Sequence, residues 1–408
     1  LATYVVHYAE VALKGNNRPR FVSILRRNIL RSLARLGGGT VTSLQGRLVV
    51  ESDRDGVQEC LGKVFGVSWY ARAVVVRPDY GEILCEALRQ ATEWGRVQTF
   101  RVSVRRTDKS FPLTSSELAE RLGREMVEST GMSVSLKNPD RTLYVDILKD
   151  SAFLYSEKLR GPGGLPVGSS GRVMHLFSGG IDSPVAAWLL MKRGCRPVYV
   201  HFYLANSVDD VLGSKVVRLV TSLAEYSGRS TLILLPFADY QVATSGAPPG
   251  SEPSLFRYFM RLAAEELAQR FRAVAISTGD SLSQAASQTL WNIAALDSGC
   301  PLPILRPLLT YDKQEIVDLA KRIGTYEQSV EEYKDCCSII TRHPRTRVSR
   351  TLILDLAERF DFMRLLSSTI DSGTLFSHDH STGRSKVAPL TSVLDRTGRE
   401  ALASEAST

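Results

Sequence analysis

The sequence predicts an α+β N-terminal region followed by an α/β domain with a doubly wound, mostly parallel sheet. Three observations carry this. From Arg172 onward, strand and helix patterns alternate, and Val198–Val200, Leu232–Leu235 and Val274–Ile276 are unbroken apolar runs. Strands covered by helices on both faces need that pattern. Before that point, helices and strands mix without strict alternation. Between the two regions, residues 161–171 (GPGGLPVGSSG) are dense in Gly, Pro and Ser, as a domain boundary would be.

The elements follow in order. Tyr4–Tyr8 reads as a strand, and a helix from Pro19 to Leu36 places Phe21, Ile24, Leu25, Ile29, Leu33 and Leu36 on one face. Gly37–Gly39 stops it. A strand at Arg47–Glu51 and a short helix near Asp55–Val64 complete a first unit over 1–60. A second unit, 61–165, has strands at Ala71–Arg77 and Phe100–Val104 and a helix capped by Asp79 running to Glu93. A further helix opens at Ser115 or Ser116, and a hairpin closes the unit over Lys149-Asp150. After a linker at 166–171, the α/β domain spans 172–370, with strands at Arg172–Phe177, Arg196–Phe202, Thr231–Leu235 and Ala273–Ser277. Helices at Ser183–Arg193, Asp209–Ser227, Glu252–Arg270 and Leu282–Asp297 alternate with them. Residues 371–408 are rich in Ser, Thr, Gly and single charges and are expected to be a disordered tail.

Composition bounds the function. The chain has 408 residues, room for two or three domains at roughly 100–200 residues each. At 43% hydrophobic and 23% charged it is ordinary for a globular protein. No apolar run approaches the roughly 18–20 residues of a membrane span, so no membrane role is expected. Leu1–Glu10 has no basic n-region, and six scattered cysteines form no disulfide framework and no CxxC, so a reducing cytoplasm is expected. The net charge of +8 is concentrated. Residues 1–170 hold 25 Lys+Arg against 18 Asp+Glu, and residues 171–408 hold 26 against 25. An N-terminal excess of that kind suits a polyanion partner as well as a plain solvated surface.

Four motifs carry chemistry. Residues 178–184 (SGGIDSP) lie between an apolar strand and a helix. Gly179 and Gly180 let the backbone turn tightly around an anion, while Ser183 and Pro184 open a helix whose N–H groups and dipole favour phosphate. The loop lacks a Walker GKS/T, so γ-phosphate transfer is not implied. Residues 276–289 (ISTGDSLSQAASQT) follow another predicted strand. There Gly279 allows close approach, Asp280 is placed to help hold a metal, and Gln284, Ser287 and Gln288 would share a helical face. Residues 333–338 (YKDCCS) hold the pair Cys336-Cys337 beside Lys334, which suits a nucleophile or sulfur carrier as well as a buried pair. Zinc is not expected from two cysteines alone. Residues 100–112 (FRVSVRRTDKSFP) alternate Arg101, Arg105 and Arg106 with apolar residues and add Lys109 and Phe111; Lys137 lies in another basic turn. These cations would reach phosphates while the aromatic packs or stacks.

SGGxDS resembles the PP-loop of the N-type ATP pyrophosphatases. With residues 8–18 (YAEVALKGNNR), 163–168 (GGLPVG), 305–308 (LRPL) and the blocks above, residues 4 to about 350 look like the tRNA 4-thiouridine synthetases of the ThiI family. The resemblance implies a ferredoxin-like domain, then a tRNA-binding THUMP domain, then a PP-loop domain. It implies that ATP, with Mg²⁺, adenylates O4 of the uridine at position 8 of tRNA. A cysteine persulfide then attacks C4 and AMP leaves. By motif position the sulfur carrier is Cys337, with Cys336 as its candidate resolving neighbour. Asp182 would serve the phosphate and Mg²⁺ environment, and Lys313 matches another position the family uses. ATP contacts would come from Leu176, Phe177, Ser178, Gly179, Gly180, Ser183, His201, Phe202, Arg257, Gly279 and Gln288.

Three departures bear on that expectation. Ala9 replaces the usual Gly. The 38 residues after Ile370 carry no cysteine, so a rhodanese domain of the kind some members have is not expected. Sulfur would then come from a separate donor, a cysteine desulfurase or a rhodanese-type protein. The family's second role, sulfur transfer to the thiamine thiazole, would depend on that partner too. Residues 254–257 (SLFR) lack the cysteines with which some archaeal relatives hold an iron–sulfur cluster. A homodimer is left open. The alternatives are a PP-loop enzyme activating another tRNA base, separated by the Cys336-Cys337 pair, and a tRNA-binding protein whose catalytic half has decayed. A methyltransferase is disfavoured because no GxGxxG follows a strand.

Overall fold

The computed structural model describes residues 1–205, 207–333, 336 and 344–394, and divides into two units, residues 1–164 and 165–408. The N-terminal unit is one twisted sheet. Its elements are β1 (Ala2–His7), α1 (Arg18–Ala34), β2 (Thr40–Leu44), β3 (Arg47–Ser52), α2 (Val57–Leu61) and β4 (Trp69–Val76). Then come α3 (Tyr80–Glu93), β5 (Thr99–Arg106), α4 (Ser115–Thr130), β6 (Ser133–Val134), β7 (Arg141–Ile147), β8 (Ala152–Tyr155) and β9 (Leu159–Arg160). The order across the sheet is β2-β3-β1-β4-β8-β7-β5-β6, with β9 beside β4.

The division expected at residue 60 is not a break in this sheet. The first half of β4 pairs with β1, Val5 opposite Ala71, and its second half pairs with β8, Val75 opposite Phe153. The chain also returns through β9 to pair with Trp69 and Tyr70. Arg47 of β3 forms a buried ion pair with Asp146 of β7, and the Tyr155 hydroxyl donates to the same carboxylate at 3.3 Å. Helices α3 and α4 pack an apolar cluster around Phe100, Leu118, Leu122 and Leu143. Asp79 caps α3 as its sequence indicates, accepting from Gly81 and Glu82. For α4 the cap is Thr114, in a reciprocal capping box with Glu117, one residue before the serines expected. Strand β2 was not anticipated. A left-handed turn at Gln45 and Gly46 folds it back on β3, a signal lost in the polar run after Gly39.

The second unit carries β10 (Arg172–Leu176), α5 (Asp182–Lys192), β11 (Arg196–Tyr203), α6 (Val208–Leu212), α7 (Lys215–Ser227) and β12 (Arg229–Pro236). It continues with α8 (Ala238–Ala243), α9 (Glu252–Phe271), β13 (Ala273–Ser277), α10 (Leu290–Asp297), β14 (Ile304–Leu305) and α11 (Lys313–Ile323). It ends with α12 (Tyr326–Val330), α13 (Arg350–Arg359), α14 (Phe362–Asp371), β15 (Thr374–Asp379), β16 (Arg384–Pro389) and α15 (Leu390–Leu394). The sheet order is β14-β13-β10-β11-β12-β15-β16, and its first five strands are parallel. Helix α9, with α13 and α14, covers one face through Phe256, Phe259 and Leu267. The chain winds outward from β10 through β11 and β12, then returns to the other side of β10 as β13. That reversal puts a switch point beyond the C-terminal ends of β10 and β13, where such sheets bind ligands.

Three expectations need correction here. Residues 371–394 are not a disordered tail: β15 pairs antiparallel with β12, Leu232 opposite Phe376, and β16 pairs with β15. Hydrogen-bonding partners on β12 order a segment whose composition alone reads as loose; residues 395–408 lie outside the described residues. The helix expected at Leu282–Asp297 is instead a turn followed by α10, whose start is fixed by Thr289 accepting from Asn292. The single helix at Asp209–Ser227 is two, split at Gly213, with Ser214 capping the second. The linker at 166–171 packs on the second unit: Val167 is buried, and Gly168 and Ser170 donate to the Gly194 carbonyl.

Candidate active site

A cleft of about 930 Å³, open to solvent, lies at the switch point. It is lined by Leu176, Phe177, Ser178, Asp182 and Ser183 after β10, by His201 and Phe202 of β11, and by Arg257 of α9. Thr278, Gly279, Asp280 and Gln288 after β13, with Arg306 and Cys336, complete it. Residues from six separate stretches of the chain thus converge.

The loop geometry explains its glycines. Gly179 sits at φ +79°, and a Cβ there would meet Val216 Cγ2 at 2.8 Å. Gly279 lies against the first turn of α5, where a Cβ would come within 2.9 Å of the Ser183 nitrogen. The two loops are therefore in backbone contact, and the free N–H groups of α5 open into the cleft, as an anion site requires. His175 locks this arrangement. It lies opposite Ser277 in the β10–β13 pairing and is wholly buried. Its Nε2–H donates to the Ser183 carbonyl at 3.0 Å, so its Nδ1 accepts from the Ser277 hydroxyl. Burial holds the imidazole neutral, lowering its pKa to about 4. Sequence reasoning passed over His175, which stands in an apolar strand and has no local signal of its own.

On the other wall, Asp280 is 2% exposed. It pairs with Arg257 at 2.7 Å and Arg306 at 3.2 Å, and Arg306 also grips Asp297 with two bonds of 2.7 Å. Burial alone would raise the carboxyl, but the two guanidiniums outweigh it and hold the pKa at about 2. Asp280 is therefore a fixed anion that orients arginines, not an open metal ligand. Gln288 reaches the cleft from a short turn and not from a helical face. Its amide donates to the Ser281 carbonyl at 2.8 Å and accepts from Arg257 at 3.2 Å. Gln284 lies elsewhere: with Lys313, at 2.8 Å, it holds Asp182 at the mouth of the loop, through a 3.3 Å bond. Among the described residues, no three His, Cys, Asp or Glu side chains gather as a metal cluster.

The cysteine-bearing segment is tethered to the same cleft. His201 donates from Nδ1 to the Phe177 carbonyl at 2.7 Å, leaving Nε2 to accept the Tyr333 hydroxyl at 2.9 Å. Burial lowers this imidazole as well, to about 4. Lys215 adds a second clamp, donating to the Ser329 and Glu331 carbonyls. Cys336 is 1% exposed, and its thiol donates to the Phe202 carbonyl at 3.2 Å. In that position it packs rather than attacks. Cys337 lies outside the described residues.

In the N-terminal unit the basic strand divides in its roles. Arg105, Lys109 and Lys137 are exposed. Arg106 instead staples the following loop, donating to the Phe111 and Leu113 carbonyls at 2.9 and 2.6 Å, and Arg101 donates to Leu136 at 3.2 Å. Phe111 is a core residue, so it offers no stacking face. The aromatic partner that sequence reasoning missed is a cage around Lys158, whose Nζ lies 3.7 Å from the Tyr144 ring centre and 4.6 Å from Trp69.

A nucleotide cleft at a switch point, joined in one chain to a basic α+β unit, defines an ATP-using enzyme of the PP-loop class. Comparison with known proteins is specific. The family described as "Thiamine biosynthesis protein (ThiI)" matches residues 168–362, the "ThiI ferredoxin-like domain" residues 3–71 and the "THUMP domain" residues 82–157. A "Probable tRNA sulfurtransferase" of Caldanaerobacter subterraneus subsp. tengcongensis is 37% identical over 89% of this chain and 97% of its own. One from Moorella thermoacetica is 39% identical over 84% and 89%. The crystal structure of a 4-thiouridine synthetase–RNA complex with bound ATP matches with TM-score 0.82 at 31% identity, covering 95% of this chain and 99% of that one. PH1313 from Pyrococcus horikoshii matches with TM-score 0.63 at 26% identity over 79% of this chain. The chain belongs to the ThiI family of tRNA sulfurtransferases. No described helix is long and apolar enough to cross a membrane.

Proposed function

We propose that this chain is an ATP-dependent tRNA sulfurtransferase that converts the uridine at position 8 of tRNA to 4-thiouridine. The observation that carries the reading is convergence: the glycine-rich loop at 178–183 lines one cleft with Cys336, and Tyr333 is bonded to His201 of the same cleft. The likeness to an ATP-bound synthetase over nearly the whole chain supports it.

The chemistry follows from the parts. A carbonyl oxygen leaves C4 only if it is first made a good leaving group. Uridine O4 attacks the α-phosphorus of ATP, the bond to the β-phosphate oxygen breaks, and pyrophosphate departs. The first-turn N–H groups of α5, with Arg257 held by Asp280, face the charge that shifts during this step. The terminal sulfur of a Cys337 persulfide then attacks C4, and AMP leaves with the former O4. A second thiol attacks Cys337 Sγ, breaking the S–S bond. Thiouridine is released and Cys337 is left in a disulfide. Cys336, turned toward Phe202, would have to leave its place to be that thiol. Mg²⁺ would neutralise phosphate charge. A single carboxylate with ATP phosphates and water suffices for this ion, and Asp182, held by Lys313 and Gln284, fits that need. The persulfide sulfur would come from a separate donor protein, and Arg105, Lys109 and Lys137 would meet tRNA phosphates. The link to thiamine rests on the family's name alone.

The test is single-turnover thiolation with ATP-Mg²⁺, unmodified tRNA and a protein persulfide donor, read by nucleoside mass spectrometry. Wild type is expected to give 4-thiouridine and AMP, and Cys337→Ala AMP without thiouridine. AMP and pyrophosphate without thiouridine from wild type would overturn the assignment of the acceptor or the sulfur source.

A further inference from the structure

The second unit is almost neutral, yet it carries a concentrated basic patch outside the nucleotide cleft. Residues 344–350 (PRTRVSR) place Arg345, Arg347 and Arg350 within six positions, and all three are exposed. Among the described residues no ion pair joins any of them to a carboxylate. Beside them Trp291 of α10 is 61% exposed, a large value for the largest apolar side chain. The Arg347 guanidinium lies 4.1 Å from its ring centre. Trp291, Ala294, Ala295, Ser298, Arg347 and Arg350 line a shallow groove there.

The backbone beneath this patch is fixed. Arg345 N donates to the Gly250 carbonyl at 2.9 Å, and Asn292 Nδ2 donates to the Arg345 carbonyl at 3.0 Å. Thr289 Oγ1 donates to the Thr346 carbonyl at 2.7 Å, and Val348 N donates to Asn292 Oδ1 at 2.9 Å. The wholly buried Asn292 thus holds the arginine segment on α10. Core side chains set the patch, while its cations and indole point to solvent. The segment begins seven residues after Cys337, and α10 begins two residues after Gln288 of the cleft.

We propose that Arg345, Arg347, Arg350 and Trp291 form an RNA-binding surface on the catalytic unit itself, with phosphates on the arginines and a base on the indole. The inference rests on the functional reading above. Three exposed guanidiniums without carboxylate partners among the described residues match phosphodiesters, and an aromatic face takes any base. Its place in the chain, a few residues from Cys337 and from Gln288, would seat the RNA strand that carries the target uridine, a role separate from the exposed basic residues of the N-terminal unit.

The experiment uses the full chain with unmodified tRNA. Wild type, Arg345→Gln/Arg347→Gln/Arg350→Gln and Trp291→Ala are compared for tRNA affinity across a salt series, for ATP affinity, and for thiolation with a protein persulfide donor and, separately, with free sulfide, which can displace AMP directly. The triple variant is expected to bind tRNA roughly 10–100-fold more weakly near 150 mM salt, with a log–log salt slope shallower by about 2, as loss of two or three phosphate contacts predicts. Trp291→Ala is expected to lose about 5–150-fold in tRNA affinity with little change of slope, since stacking contributes about 1–3 kcal/mol. ATP affinity should be unchanged in both, which also reports folding. If wild type binds and thiolates tRNA while both variants match its affinity and slope, the surface is not an RNA site and the functional reading stands. If the variants lose thiolation only with a protein sulfur donor and keep tRNA affinity, the patch serves that protein and the inference fails. If wild type neither binds nor thiolates tRNA, the functional reading itself fails.

Discussion

Adding one methyl group at Gly279 tests how the cleft is built. An alanine Cβ there would stand 2.9 Å from Ser183 N, 3.0 Å from Ser183 Cα and 3.1 Å from the Asp182 carbonyl carbon. Carbon contacts settle at about 3.5–4.0 Å, so the first turn of α5 would have to retreat by roughly half an ångström or more. These are backbone atoms braced by the His175 bond to Ser183, and they cannot rotate aside. Overpacking of this kind costs about 1–3 kcal/mol, which for a unit of this size lowers Tm by roughly 2–12 °C. The same retreat would withdraw the α5 N–H groups from the phosphate proposed to bind there. A misplacement of about 1 Å costs on the order of 10²-fold in rate, so roughly tenfold weaker ATP binding and at least tenfold slower adenylation are expected. Calorimetric titration with a non-hydrolysable ATP analogue and a thermal melt read both effects. Gly246→Ala is the control, because nothing lies within 4 Å of its Cβ. Gly180→Ala, whose nearest neighbour is Ser178 Oγ at 3.5 Å, should melt like wild type. A Gly279→Ala protein with wild-type Tm and ATP affinity would refute the claim that this backbone contact sets the anion site.

Three other outcomes follow. His175 and His201 have pKa values near 4 in the folded chain against 6.5 unfolded, so the unfolded state binds protons first as pH falls. Their stability contribution is full above pH 6.5 and is lost toward pH 4, about 2 kcal/mol for each histidine between pH 7 and 5; urea unfolding at the two pH values should show it, and His175→Gln should remove about half. Tyr333→Phe leaves His201 Nε2 buried without a donor, at a cost of about 1–3 kcal/mol, and frees the start of the cysteine segment; thiolation should fall several-fold while ATP affinity holds, and equal thiolation rates would contradict the tether. Truncation after Ser372 strips β15 from β12 and exposes Leu232 and Leu234; the shortened chain should melt well below wild type or aggregate, and an unchanged melt would show that the hairpin only decorates the sheet.

Periodicity and punctuation made much of the fold legible. The apolar runs at 198–200, 232–235 and 274–276 became buried parallel strands, and SGGIDSP became a strand-to-helix turn. What escaped depends on partners distant in sequence. Residues 374–389 are strands because β12 offers a free edge, and no local hydrophobic pattern announces that. The polar run 282–288 reads as helix until Thr289 claims the cap. The site was legible where glycine or charge marked it. It was hidden where a single buried group acts through space: His175 through Ser183, Arg306 through Asp280, Asn292 through the arginine segment.

Strand β4 gives the N-terminal unit a mechanical property. One eight-residue strand is hydrogen-bonded to β1 along its first half and to β8 along its second. A hinge needs a stretch of chain whose dihedrals turn freely, and a doubly paired strand has none. With the buried Arg47–Asp146 pair spanning the same junction, bending there would break ladder bonds and strand a charge in the interior. The unit therefore behaves as a rigid gauge: the spacing between its exposed Arg105 and its Lys158 cage is fixed by the backbone. With Arg105 on tRNA phosphates, as proposed above, a fixed spacing of that kind would favour recognition by shape, and many sequences of one shape would be accepted.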